Sequence, residues 1–438
     1  MTERLKIFTT LMEKHQFDFF IINTGDEYFS EHPEENRKRL KWICGFTGSN
    51  GVLIVSKKGK SQFFTDGRYT LQAQKELDSS LYDIHNIKDM LPWDWAKQNS
   101  SSFIHGYDSE LITTYQFERY NCSLKKAPFN FIDSIWHRDF KLKQKITSHP
   151  IQYSGISSAD KCLSIAKNFS REKCMLITDS CLLSWLLNIR KDDFIYNPAV
   201  FGNAVLYQNG SVEACFYGDC LFEKDSFGDH VNILTENDFN NSLKTIDDVS
   251  IDKKTISMQM FDILAQKNIL SHENDILKTA MAKKNHVEIQ GAINAHVRDG
   301  VAVINFLYWL DTQTRKGEKL TEISAENKLY ALRSKLDLFR GSSFATISAF
   351  QENAAIIHYR ATKDTNKSLD GDGLYLIDSG GQYFDGTTDI TRTVLIGESA
   401  TDEQKIRFTE VLKGHIAIAS AVFPLGTTGA QLDALARI

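Results

Sequence analysis

The chain has 438 residues, 42% hydrophobic and 24% charged, with a formal net charge of -5. This composition belongs to a folded protein large enough for two or three domains, and it excludes disorder as the main state. The acidic balance gives no general attraction to phosphate backbones or anionic lipid, so neither nucleic acid nor a membrane is expected as a partner.

At the start of the chain, Leu5, Phe8, Leu11 and Met12 recur at helical spacing with charges between them, which predicts an amphipathic helix and not the apolar core of a signal peptide. No run of eighteen apolar residues occurs, so no transmembrane helix is expected. The cysteines (Cys44, Cys122, Cys162, Cys174, Cys181, Cys215 and Cys220) form no CxxC pair and read as thiols of a reducing compartment. A cytoplasmic location is expected.

Two passages then follow one plan. A helix leads to a strand at Phe17–Asn23, then Trp42, then a hairpin whose arms VLIVS and SQFF flank Lys57-Lys58-Gly59-Lys60. Later a helix around Lys161–Phe169 leads to a strand at Cys174–Thr178, then Trp185, then a hairpin whose arms NAVLY and EACFY flank Asn209-Gly210. Asn-Gly between alternating apolar runs signals a tight turn, with positive φ expected at both residues. A repeat spaced by roughly 150 residues suits two copies of one α/β domain. Boundaries are expected near Thr147–Pro150 and Ser271–Asp275, giving domains 1–147, 148–274 and 275–438.

The third region opens on a long helix in which Ile289, Ile293, Val297, Val301, Ile304 and Tyr308 recur every three or four positions, with Glu288, Arg298 and Asp299 between them. This pattern predicts a surface helix whose apolar stripe covers a sheet. A second helix (Ile323–Leu336) and strands around Thr346–Ala349 and Ile356–Tyr359 are expected next. The chain stops in an amphipathic segment, Ala430–Ile438, without a terminating signal, which reads as a cut.

Between these lies LYLIDSGGQYFDGTTDITRTV (Leu374–Val394), with Asp378, Asp385 and Asp389 in a strand-forming run. A hairpin centred between Tyr383 and Phe384 would set Asp378 directly opposite Asp389, with Cβ atoms about 5 Å apart. Two like charges facing each other in a half-buried sheet are unfavourable unless a cation or shared proton neutralises them. A pair of divalent metals would do so, and hard oxygen donors favour manganese, magnesium or calcium, with zinc or iron once imidazole joins. Solvated carboxylates at a strand edge beside an Asp-Gly turn are the alternative that this run alone leaves open.

The run IDSGGQYFDGTTDITRT, with AAIIHY (Ala354–Tyr359) before it and VLKGHIA (Val411–Ala417) and AVFPLGT (Ala421–Thr427) after it, resembles the cytosolic aminopeptidase P family, the Xaa-Pro aminopeptidases among the pita-bread metallopeptidases. GFTGSNG (Gly45–Gly51) with TDGRYTLQA (Thr65–Ala73) resembles a creatinase-type amino-terminal domain, and WLLNIRKDDFIYNP (Trp185–Pro198) its second copy. The resemblance implies an α/β (α+β) chain of two creatinase-type domains followed by the first half of a pita-bread domain. It also implies a peptide substrate with proline in second position, two divalent metal ions, manganese by preference, and a homodimer. Residue by residue, it implies Asp378 and Asp389 as metal ligands, His358 as a catalytic and substrate-binding group, and Arg68 as a substrate-binding group. Asp385 and His415 match positions that are not ligands.

The family completes its metal site with a histidine in an HGxxHG segment and two later glutamates. No HGxxH follows Asp389 here, and the last histidine is His415. Three of five ligands are absent, so this chain is expected to be catalytically incomplete, as a truncated enzyme or as a relic that binds peptides without turnover. A prolidase-like dipeptidase is a further alternative, against which the doubled amino-terminal domain argues.

Overall fold

A computed structural model describes the whole chain except residues 1, 100–101, 140, 224–225, 265–268 and 272–275. The boundary expected near Ser271–Asp275 therefore falls largely outside the described residues. The chain divides into two compact units, one of Met1–Val297, Leu338–Phe344 and Gln382–Thr388, the other of Arg298–Asp337, Ala345–Gly381 and Asp389–Ile438.

In the first unit, β1 (Phe19–Asn23), β2 (Val52–Ser56), β3 (Ser61–Thr65), β4 (Tyr82–Asn86), β5 (His105–Tyr107) and β6 (Leu124–Lys126) form one sheet in the order β4-β3-β2-β1-β5-β6. There follow β7 (Lys143–Ser148), β8 (Cys174–Ile177), β9 (Ile189–Lys191), β10 (Gly202–Tyr207), β11 (Val212–Phe216), β12 (Asp219–Phe222), β13 (Val231–Ile233), β14 (Val249–Ile251) and β15 (Ile269–Ser271). Six of these form a second sheet in the order β13-β11-β10-β8-β14-β15, and β12-β7-β9 form a small third one. β1 pairs antiparallel with β2 and parallel with β5, and β8 pairs antiparallel with β10 and parallel with β14. The repeat read from the sequence is thus one topology built twice.

Each of the two six-stranded sheets is covered on both faces, which explains the unbroken apolar runs of their central strands. Phe20 and Ile22 point into a core with Leu5, Phe8 and Met12 of the first helix (Glu3–Lys14), while Ile21, Ile54 and Phe64 enter the core on the other side. In the second sheet Met175 and Ile177 go one way and Cys174 and Leu176 the other. Full burial of one such side chain is worth about 1.5–3 kcal/mol. The turn after β10 differs from expectation. Gly210 alone takes positive φ (85°), because its N–H donates to the Tyr207 carbonyl in a three-residue turn closed by Tyr207 N–H to Ser211 O.

The second unit is built around β17 (Ile347–Phe350), β18 (Gly373–Ser379) and β20 (Ile390–Ile396), in the order β17-β18-β20; β16 (Phe339–Ser342) precedes them in the chain and β19 (Gly381–Tyr383) interrupts them. Phe350, Tyr375, Ile377 and Ile396 pack with Leu329 of the helix Glu322–Arg333 and with Val303, Phe306 and Leu310 of the long helix His286–Arg315. The long helix corrects the expected stripe. Val297, Ile304 and Tyr308 are 67%, 67% and 73% exposed, whereas Ala302, Val303, Phe306 and Leu310 are buried. Residues two apart lie about 200° apart on a helix, so the helix carries two apolar faces, and the expected stripe is the one left in solvent. Asp299 misled the phase: it is buried and holds Arg333 in a two-point ion pair, Nε to Oδ1 at 2.6 Å and Nη2 to Oδ2 at 2.9 Å.

The strand expected at Ile356–Tyr359 is absent. A 3-10 helix spans Gln351–Ala355, and a turn with Tyr359 N–H on the Ile356 carbonyl follows. The cause lies in Glu322, fully buried at the head of its helix. Its carboxylate accepts from the backbone N–H groups of Phe350 (2.7 Å) and Lys367 (3.0 Å), from the Tyr359 hydroxyl (2.9 Å) and from Asn353 Nδ2 (3.0 Å). Four ties from one buried anion curl 350–367 inward where a strand would run straight.

Candidate metal centre

The carboxylate hairpin follows a register displaced from the expected one. Asp378 stands opposite Thr391, Ser379 opposite Ile390, and the isolated bridge Gln382–Thr387 continues the same register. The Tyr383 N–H donates to the Gly386 carbonyl, so Phe384 and Asp385 are the central turn residues and Gly386 the fourth, a position glycine favours. The centre therefore lies one residue later than expected, and Asp389 falls two positions before the residue facing Asp378. Because side chains alternate along a strand, a slip of two keeps both aspartates on one face. They are diagonal neighbours, farther apart than a directly facing pair.

That face points away from the core. Tyr375, Ile377 and Ser379 are buried, while Leu374, Leu376 and Asp378 on the alternate face are half-buried and Asp389 is exposed. Thr391, which sequence reasoning missed, donates its hydroxyl to Asp378 Oδ1 at 2.8 Å and leaves Oδ2 without a bond from that residue. A threonine two places after Asp389 in an extended run was the available signal. This hydroxyl bond fixes the orientation of the Asp378 carboxylate.

His358 also belongs to the second unit. It is exposed at the tip of the turn held by Tyr359, with φ at 58°. Burial, and then the bond to Glu322, push the Tyr359 phenol up to about 12, so it remains a donor at neutral pH. Arg68 belongs to the first unit, just after β3, and is half-exposed. Its Nε and Nη2 bind Asp66 Oδ1 and Oδ2, both at 2.8 Å, and this hydrogen-bonded pair draws the Asp66 carboxyl well below the usual range. Asp385 is a turn residue of the first unit whose backbone lies so near Gly291 that a Cβ there would collide with its carbonyl. His415 is exposed on the helix Asp402–Ala419.

The donors suit a hard divalent ion in kind but not in number. Asp378 and Asp389 offer carboxylate oxygens on one open face, and among the described residues no group of three His, Cys, Asp or Glu comes together. An ion of this class takes about four to six or more ligands, so these residues provide a partial set.

The family is decided by comparison. The metallopeptidase family M24 model matches residues 290–438, and two creatinase/prolidase N-terminal domain models match 4–135 and 137–288. A probable Xaa-Pro aminopeptidase P of Laccaria bicolor is 35% identical over the whole chain, which spans 71% of that relative. The chain belongs to the aminopeptidase P family. A second member, from Aspergillus fumigatus, is also 35% identical, with 100% of this chain and 70% of the relative covered. The crystal structure of X-prolyl aminopeptidase from Caenorhabditis elegans, described as a cytosolic enzyme with a di-nuclear active site, superposes with a TM-score of 0.89 at 27% identity, covering 100% of this chain and 77% of that one. As an aminopeptidase P family member, the chain is by resemblance a metallo-exopeptidase, with the α/β architecture of two creatinase-type domains followed by a pita-bread domain.

Proposed function

We propose that Asp378 and Asp389 are metal ligands of a site for release of an amino-terminal residue that precedes proline, and that the 438 residues supply part of that site. The observation that supports this most is the placement of both carboxylates on the open face of one hairpin, inside a chain similar to Xaa-Pro aminopeptidases along its whole length. The dinuclear relative supports two divalent ions where such a site has its full donor set, and oxygen donors favour manganese. Such ions supply a Lewis acid and an activated water for peptide hydrolysis. The chain's own residues account for orientation of Asp378 by Thr391 and for presentation of His358 at a fixed turn, where an imidazole can donate to a peptide carbonyl. Arg68 is assigned to the substrate peptide, and would act there once released from Asp66.

With this partial donor set, the 438 residues by themselves are expected to bind such peptides without turning them over. A cytoplasmic location accords with the cytosolic relative and with the absence, among the described residues, of a helix long and apolar enough to cross a membrane. Calorimetry with a Xaa-Pro-Yaa tripeptide, its Xaa-Ala-Yaa counterpart and a Xaa-Pro dipeptide tests the reading. Preference for the first supports it, equal binding of the first two refutes proline recognition, and preference for the dipeptide favours a prolidase-like site.

A further inference from the structure

The first unit contains a cavity of about 440 Å³, with Tyr153, Trp185, Phe194 and Phe384 among its walls. Arg190 also lines it. The guanidinium Nη1 donates to the carbonyls of Ser184 (3.1 Å) and Ile189 (2.8 Å), closing the carboxy-terminal end of the helix Ser180–Leu187. Nε and Nη2 have no protein acceptor among the described residues, and no carboxylate pairs with them.

The neighbouring carboxylates are engaged elsewhere. Glu288 accepts from Trp185 Nε1 at 3.1 Å and from the Asn285 N–H at 3.0 Å. Asp192 is held by Lys145 and Arg340, at 2.6 Å and 2.5 Å, and Asp385 has partners of its own. Arg340 lies over the Phe384 ring at 4.4 Å, and Lys284 adds a further cation to the wall. Burial, with the charges of Arg190, Lys161 and Arg340, pushes His149 down to about 3. Its imidazole is therefore neutral, and its buried Nδ1 has no partner. Arg190 is half-buried, and with Nη1 fixed on two carbonyls its Nε and Nη2 remain as a pre-oriented two-point donor for an anion in the cavity.

We propose that this cavity binds a small carboxylate with an apolar body, its two oxygens taken side-on by Nε and Nη2 of Arg190 and its body lying against Trp185 and Phe194. The fork geometry of a guanidinium matches a carboxylate in two parallel bonds, and the aromatic walls select against a bare inorganic ion. This site uses no residue assigned to the metal or the peptide, so it stands or falls apart from the proposed activity.

Titration calorimetry on the full 438-residue chain with benzoate, its neutral isostere benzamide, and inorganic phosphate tests the proposal. Benzoate is expected to bind at least tenfold more tightly than either, to protect 181–199 from hydrogen exchange, and to lose at least tenfold in affinity in Arg190→Gln. Equal affinity for benzoate and benzamide, no benzoate binding, tighter phosphate, or undiminished benzoate affinity in Arg190→Gln would each overturn it. If Arg190→Gln does not fold, the benzoate and benzamide comparison on the unaltered chain decides.

Discussion

Glu322→Gln isolates the anion that shapes the segment carrying His358. Glutamine keeps the volume of Glu322 but exchanges one acceptor oxygen for a donating NH2 group. Oε1 now receives the Phe350 N–H at 2.7 Å, and Oε2 the Lys367 N–H at 3.0 Å. Whichever way the amide turns, one of these backbone donors meets a nitrogen. A buried donor left unsatisfied costs about 1–3 kcal/mol, and weakening the remaining bonds from charge-assisted to neutral strength adds about 1 kcal/mol. The expected loss is roughly 2–4 kcal/mol, felt first where the ties end. Hydrogen exchange read by mass spectrometry should show faster exchange across 350–367 in Glu322→Gln, with peptides of β1 to β6 unchanged. Unaltered exchange at 350–367 would refute the argument that this carboxylate holds the segment.

Asp299→Asn should leave the buried Arg333 guanidinium short of its ion pair and destabilise the second unit by about 3–5 kcal/mol, seen as faster proteolysis within 298–337. Asp108→Asn should act in the opposite direction. Burial pushes the Asp108 carboxyl up to about 6, and its Oδ2 is buried without a partner. A folded-state value above the unfolded one means that the folded form binds more protons between about 3.8 and 6, so stability is lost as pH rises through that window. Carrying this carboxylate ionised in the folded state at neutral pH costs about 3 kcal/mol. The asparagine variant should therefore melt later than the parent at pH 7, and the difference should shrink as pH falls towards 4. Arg68→Ala removes a half-exposed pair and should change thermal stability by less than about 1 kcal/mol, measured by calorimetry.

The parts of the fold legible in sequence were those whose periodicity and turn chemistry agree. The doubled domain showed itself because FFII and CMLI are apolar on both faces and each precedes a glycine-turned hairpin. The long helix was read in the wrong phase because it has two apolar faces, and the buried one contains Asp299, whose partner Arg333 lies 34 positions away. Long-range pairing of that kind leaves no local trace. The carboxylate hairpin was placed correctly as an element but centred one residue early, although Asp385-Gly386 marked the true turn. The slip preserved the shared face of Asp378 and Asp389 and changed them from direct to diagonal neighbours. The strand expected at Ile356–Tyr359 failed because a buried glutamate, bonded to residues 28 to 45 positions away in sequence, draws that segment in.

Manganese binding to the 438-residue chain, followed by electron paramagnetic resonance with mass spectrometry of a Xaa-Pro-Yaa peptide in the same tube, tests the central claim most directly. The account predicts at most one weakly held ion per chain, abolished when Asp378 and Asp389 are both changed to asparagine, and an intact peptide. Two tightly held ions with release of the amino-terminal residue would contradict it.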